Sequence, residues 1–160
     1  MKVVIGTNER GIIFVDKQFK GVLAPGVHRF FTWLKNVEVE TIDIVKNPEL
    51  AEKFRKLVTT SDDRKVKEQF VSVITGRNEV AVVYLGDKAT HLVKPASERL
   101  FWKEANRVEV KTFDIATECM VDPSISRDLT DFAQHEGVLS SVVPEKYVGI
   151  LYEDGVITRE

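Results

Sequence analysis

VEVETIDI occupies residues 37 to 44, and VEVKTFDI occupies residues 108 to 115. A chain of 160 residues that writes nearly the same octapeptide twice must find two similar surroundings for it. The flanking sequence agrees too. GIIFV begins at residue 11 and AVVYL at residue 81, 70 positions apart. Each is a β-branched and aromatic run with polar punctuation behind it, the pattern of a strand and tight turn. Pro25 and Pro95 keep that spacing, as do Arg29 with Arg99 and Phe31 with Phe101. The octapeptides are 71 apart, so one residue is inserted after Phe101.

The correspondence extends past the strands. Asn47-Pro48 and Asp122-Pro123 each read as a helix N-cap followed by proline in the first helical position. Leu50, Phe54 and Leu57, and again Ile125, Leu129 and Phe132, have the i, i+4, i+7 spacing of an amphipathic helix. Glu49, Glu52, Lys53 and Arg55 are expected to face water, as are Arg127, Asp128 and Asp131. A third copy begins near Val143, where VGILYEDG at 148–155 aligns with RGIIFVDK at 10–17. The expected fold is α+β. It has two tandem small β-rich repeats, residues 1–65 and 66–140, each followed by an amphipathic helix, and residues 141–160 start a third. TTSDDRKVKE at 59–68 reads as the hydrated linker, with QHEGVLSS at 134–141 as its counterpart. The last residues read as a strand and turn cut in mid-motif.

Composition narrows the function classes. With 43% hydrophobic residues the chain can bury a core, as one domain or two small ones. A net charge of −2, with basic and acidic residues interspersed, argues against nucleic-acid binding. The single cysteine, Cys119, excludes an intramolecular disulfide and reads as a small buried side chain. No run approaches the roughly 20 apolar residues of a membrane-spanning helix.

Few residues suggest chemistry. In VEVETIDI the apolar set changes side after Thr41, which marks a twist, a bulge or a strand passing between packing surfaces. Glu38 and Glu40 would form an acidic site, but Lys111 replaces Glu40 in the second copy, so both read as solvated. Ala24-Pro25-Gly26-Val27 reads as a type II turn. Its counterpart has Ala96 in place of the glycine, so that turn changes type or is strained. His28, His91 and His135 lack metal-ligand spacing, and no nucleophile–base arrangement is present. No catalytic, metal or cofactor residue is assigned. Trp33 and Trp102 follow aromatic pairs and read first as core, second as interface anchors. Phe31, Trp33, Phe101 and Trp102 are the candidate interaction residues.

The segments NERGIIFVDKQFKGVLAPGVHRFF with VEVETIDI, and NEVAVVYLGDKATHLVKPASERLFW with VEVKTFDI, resemble the opening of the stomatin/prohibitin/flotillin (SPFH, or band 7) domain. VPEKYVGILYEDG resembles the start of a full domain of that kind. The arrangement is similar to bacterial slipins carrying such repeats ahead of the main domain. The resemblance implies a non-catalytic scaffold that self-associates, docks partner proteins or organises membrane proteins. It carries over no catalytic residue. The chain lacks the hydrophobic anchor of many stomatins and is expected to be the N-terminal piece of a longer protein. The expected place is the cytoplasm, free or peripheral at the membrane. A small-molecule sensor, holding a ligand between the repeats against Phe31, Trp33, Phe101 and Trp102, is the alternative. An enzyme ranks third.

Overall fold

A computed structural model describes residues 1–117, 143–153 and 156–159. Among the described residues the chain is mostly β-sheet with two short helices, an α+β fold. It opens with β1 (Lys2–Ile5), β2 (Glu9–Val15), β3 (Gln18–Leu23), β4 (Gly26–Arg29) and β5 (Val37–Asp43). β2 is the middle of a three-stranded antiparallel sheet ordered β3-β2-β5, while β1 pairs with β4. Asp16 and Lys17, the two residues joining β2 to β3, both take left-handed φ, 50° and 65°. That is the hairpin geometry whose twist matches the strands. The β2–β3 register shifts between Ile13 and Phe14, where β3 carries an extra residue.

The alternating side chains of β2 serve two surfaces. Ile12 and Phe14 face a cluster with Phe54 and Val58. Gly11 lies on the opposite face beneath Ile5, Val39 and Leu23, which leave a Cβ there only 3.0 Å from the nearest carbons. β5 makes the same division. Val39 closes over Gly11, whereas Ile42 and Ile44 join the cluster around Phe54. The pairing of β5 with β2 runs unbroken from Glu9↔Asp43 to Val15↔Val37. The change of apolar side after Thr41 therefore reflects a strand passing between two packing surfaces, not a bulge.

The helix after β5 differs from the sequence expectation. α1 spans Glu52–Thr59, its N-cap is Ala51, and no side chain caps it. Pro48 to Leu50 is extended instead. Leu50 N–H donates to Leu100 O at 2.8 Å, Trp102 N–H donates to Pro48 O at 2.9 Å, and Glu49 bridges antiparallel to Phe101. A proline that could open a helix here opens an extended segment, because its fixed φ also suits extended backbone. Leu50, Phe54 and Val58 are buried, with Leu57 partly so. Two charged residues expected to face water do not: Glu49 pairs with Arg99, and Arg55 Nη1 donates to Glu98 O at 2.7 Å. The expected linker contains α2 (Arg64–Lys67), capped by the Asp63 side chain on Lys65 N–H, and Val66 within it is buried.

The next segment holds β6 (Phe70–Ile74), β7 (Glu79–Leu85), β8 (Lys88–Val93), β9 (Glu98–Trp102) and β10 (Val108–Asp114). β7 is the middle of a sheet ordered β10-β7-β8, and β6 pairs with β9. The β7–β8 register shifts between Val83 and Tyr84. Gly86 takes φ 66° at the hairpin, and Ala96 takes φ 51° before β9. The alanine thus occupies left-handed backbone that favours glycine, which is the strain anticipated at this turn. Arg29 and Arg99 are not equivalent in register: Arg29 lies across from Lys2, but Arg99 lies across from Val73. His28 lies across from Val3 as Arg99 lies across from Val73.

One cluster unites residues from both segments: Ile12, Ile44, Leu50, Phe54, Val58, Val66, Phe70, Leu100 and Trp102. Burying these side chains contributes roughly 1.5–3 kcal/mol each for the large aliphatic and aromatic ones. Phe101 faces a second cluster with Val73, Ala81, Val83 and Val93. Buried Arg10 adds a polar clamp, donating to Glu9 O at 2.6 Å and pairing with Glu104. β11 (Leu151–Glu153) and β12 (Val156–Arg159) form a hairpin. Cys119, the Asp122-Pro123 corner, the helix expected through Ile125, Leu129 and Phe132, and His135 lie outside the described residues.

Candidate functional site

The four candidate interaction residues divide into two pairs with opposite environments. Phe101 and Trp102 are buried, at 0% and 2% exposure. Their positions follow from β9, whose alternate side chains point to two clusters: Leu100 and Trp102 to one, Phe101 to the other. Trp102 packs on Phe70 with ring centroids 4.4 Å apart, and His91 meets Phe101 edge-on at 5.1 Å. Phe31 and Trp33 are 79% and 83% exposed. The core expectation therefore holds for Trp102 and fails for Trp33. The four side chains do not line one pocket.

Phe31 and Trp33 are displayed together by the way β4 ends. Phe30 and Met1 exchange backbone hydrogen bonds at 2.8 and 2.9 Å. The chain is next tied down at Asn36, which exchanges bonds with Asp16: Asn36 N–H to Oδ1 at 2.9 Å, and Asp16 N–H to Asn36 O at 2.8 Å. Residues 31–35 between these anchors are all exposed. Phe31 and Trp33 meet edge-to-face, 6.4 Å apart, and Leu34 beside them is 84% exposed. The cross-strand pair Val4 and Val27 extends the apolar surface along β1 and β4. Lys2 and Arg29, the next pair on that face, lie between Val4–Val27 and Phe31. Large apolar side chains exposed contiguously mark interaction surfaces more often than catalytic ones. Val4, Val27 and Leu34 were not singled out from the sequence, because a short VV or a Val in a turn reads equally as core.

The ionisable groups are arranged for structure. Glu49 Oε1 meets Arg99 Nη1 at 2.5 Å, and its other oxygen lies 3.9 Å from His91 Nε2. His28 Nε2 lies 2.8 Å from Ala24 O, closing the Pro25 turn, and its ring stacks on Phe30. Glu40 pairs with Lys53 of α1 at 2.6 Å, so it braces the helix. Asp43 is held below its ordinary carboxylate value, chiefly by the Lys46 backbone N–H, with the Val45 N–H and the Lys46 charge adding to it. Among the described residues no three His, Cys, Asp or Glu side chains converge as a metal site. Among the same residues no helix is long and apolar enough to cross a membrane.

Compared with known proteins, the chain matches no family model, no curated protein and no solved structure.

Proposed function

We propose that this chain is a non-catalytic assembly module built from two tandem copies of one β-rich unit, with a third begun at its C-terminal end, as in slipin-like SPFH proteins. The observation that carries this reading is the repeated strand pairing. β2 is flanked by β3 and β5, and β7 by β8 and β10, with register shifts at Ile13/Phe14 and Val83/Tyr84. Paired details support it. Gly6 and Gly76 N–H donate to the Glu9 and Glu79 side chains, and Ile44 and Ile115 N–H donate to Asn8 O and Asn78 O. Duplication of one unit explains why hydrogen bonds recur with so little identity in the buried side chains.

An assembly role is favoured over an enzymatic one by the character of the exposed surface. Phe31, Trp33, Leu34, Val4 and Val27 offer exposed apolar area, while the paired acids and bases brace turns and strand junctions. The module presents this surface for self-association, or for docking partner or membrane proteins in a cytoplasmic or membrane-peripheral setting. Sedimentation velocity from micromolar to millimolar concentration tests the reading. Reversible, concentration-dependent association supports it; a strict monomer throughout overturns self-assembly.

A further inference from the structure

β9 and β4 stand at matching places, but their outer edges differ. The groups of β9 that point away from β6 belong to Glu98, Leu100 and Trp102; residues 48–50 use those of Leu100 and Trp102, and Glu98 O accepts from Arg55. That short segment adds a third strand to the β6–β9 pair. In β4 the register with β1 turns the backbone of Val27, Arg29 and Phe31 outward, and these groups have no backbone partner among the described residues. An open edge beside exposed Val27, Phe31, Trp33 and Leu34 is a template for an added strand.

We propose that the open edge of β4 receives an extended segment from a second copy of this chain, by the strand addition that residues 48–50 make to β9. This inference rests on the assembly reading above and specifies its contact. Symmetric pairing of β4 with its own counterpart is disfavoured, because it gathers Lys2 and Arg29 of both copies in one place. The segment that covers β9 instead has the pattern Asx-Pro-x-apolar and pairs through its backbone. In sequence the pattern occurs at Asn47 to Leu50, engaged on β9, and again at Asp122-Pro123-Ser124-Ile125. The second occurrence lies outside the described residues and is the donor that the pattern nominates. Such a contact is head-to-tail, so it builds rings or open chains of copies.

Phe31→Pro removes the outward N–H that corresponds to the one Trp102 gives to Pro48, and at 79% exposure it removes no core packing. Val27→Lys places a charge on the same edge and leaves every backbone group intact. Each substitution should raise the dissociation constant of self-association by about tenfold or more, and Phe31→Thr, which keeps the N–H, by less. A synthetic peptide of residues 119–132 should dissociate the wild-type assembly. Thermal melting establishes that the variants remain folded. Assembly that survives both edge substitutions, or that the peptide leaves intact, overturns this contact while the assembly reading stands. A wild type that is monomeric at millimolar concentration overturns both.

Discussion

Glu49 and Arg99, fifty residues apart in sequence, form a 2.5 Å ion pair at the point where the segment before α1 bridges onto β9. Their side chains are 23% and 34% exposed, so the pair is shielded but not sealed. The ion pair, the Leu50–Leu100 and Trp102–Pro48 backbone bonds and the Arg55–Glu98 bond act at one junction. This junction joins the two β-rich segments.

Glu49→Ala should lower the unfolding free energy by about 1–2 kcal/mol, a charge-assisted hydrogen bond discounted for partial solvent access. Arg99 can still reach water in that variant, which keeps the loss below that of a sealed pair. Urea denaturation of both single variants and the double variant checks this. A coupling energy near zero would mean that the backbone bonds alone hold the junction.

The two tryptophans should separate cleanly. Trp102→Ala removes a side chain packed on Phe70 in the shared cluster and should cost about 3–5 kcal/mol. Trp33→Ala should change stability by no more than about 0.5 kcal/mol. Fluorescence offers an independent check: Trp102→Phe leaves a red-shifted emission readily quenched by acrylamide, and Trp33→Phe leaves a blue-shifted, protected one. Equal quenching in both would contradict the burial described.

The contrast between these residues also marks what the sequence can disclose. Strands, hairpins and the 70-residue spacing were legible because they depend on local residue type: β-branched runs, Gly and Asp-Lys turns, and Ala96 after Pro95 where Gly26 follows Pro25. What depended on contacts distant in sequence was not. Asn47-Pro48 carries the same local signal at a helix start and at the start of an extended segment, and β9 decides between them. Phe31 and Phe101 have similar neighbours in sequence, yet Phe31 lies exposed beyond β4 and Phe101 is buried within β9. Arg10 gave no warning of burial, since its partner Glu104 lies far along the chain.

Two of the turn residues that hold positive φ without being glycine, Ala96 and Lys17, should yield to it. Ala96→Gly relieves left-handed backbone at φ 51° and Lys17→Gly does so at φ 65°. Left-handed backbone costs an L-residue about 1–2 kcal/mol, and added freedom of the unfolded chain returns part of that. Each variant should therefore gain about 0.5–1 kcal/mol in urea denaturation. Lys17→Gly also converts the β2–β3 turn to Asp-Gly, a favoured pair for this hairpin geometry. A loss of stability at either site would show that the neighbouring backbone bonds, not φ, set the energy there.

Asp43 predicts a pH dependence whose sign can be worked out. Its folded-state pKa is lowered from the ordinary 3.8, because the ionised carboxylate accepts the N–H groups of Lys46 and Val45 in the turn after β5. Above the unfolded value the carboxylate is charged in both states and the folded one binds it better, so its stabilising contribution is fully present. As pH falls through the lowered folded value, protonation in the native state removes that contribution. Asp43→Ala should melt at a lower temperature than the wild type at neutral pH, and the gap should close as the solution is acidified below the ordinary carboxylate range. Melting curves for the two proteins across that range make the comparison. A gap that persists undiminished in acid would mean that Asp43 acts through shape or neutral hydrogen bonding, and that its charge contributes nothing to the turn.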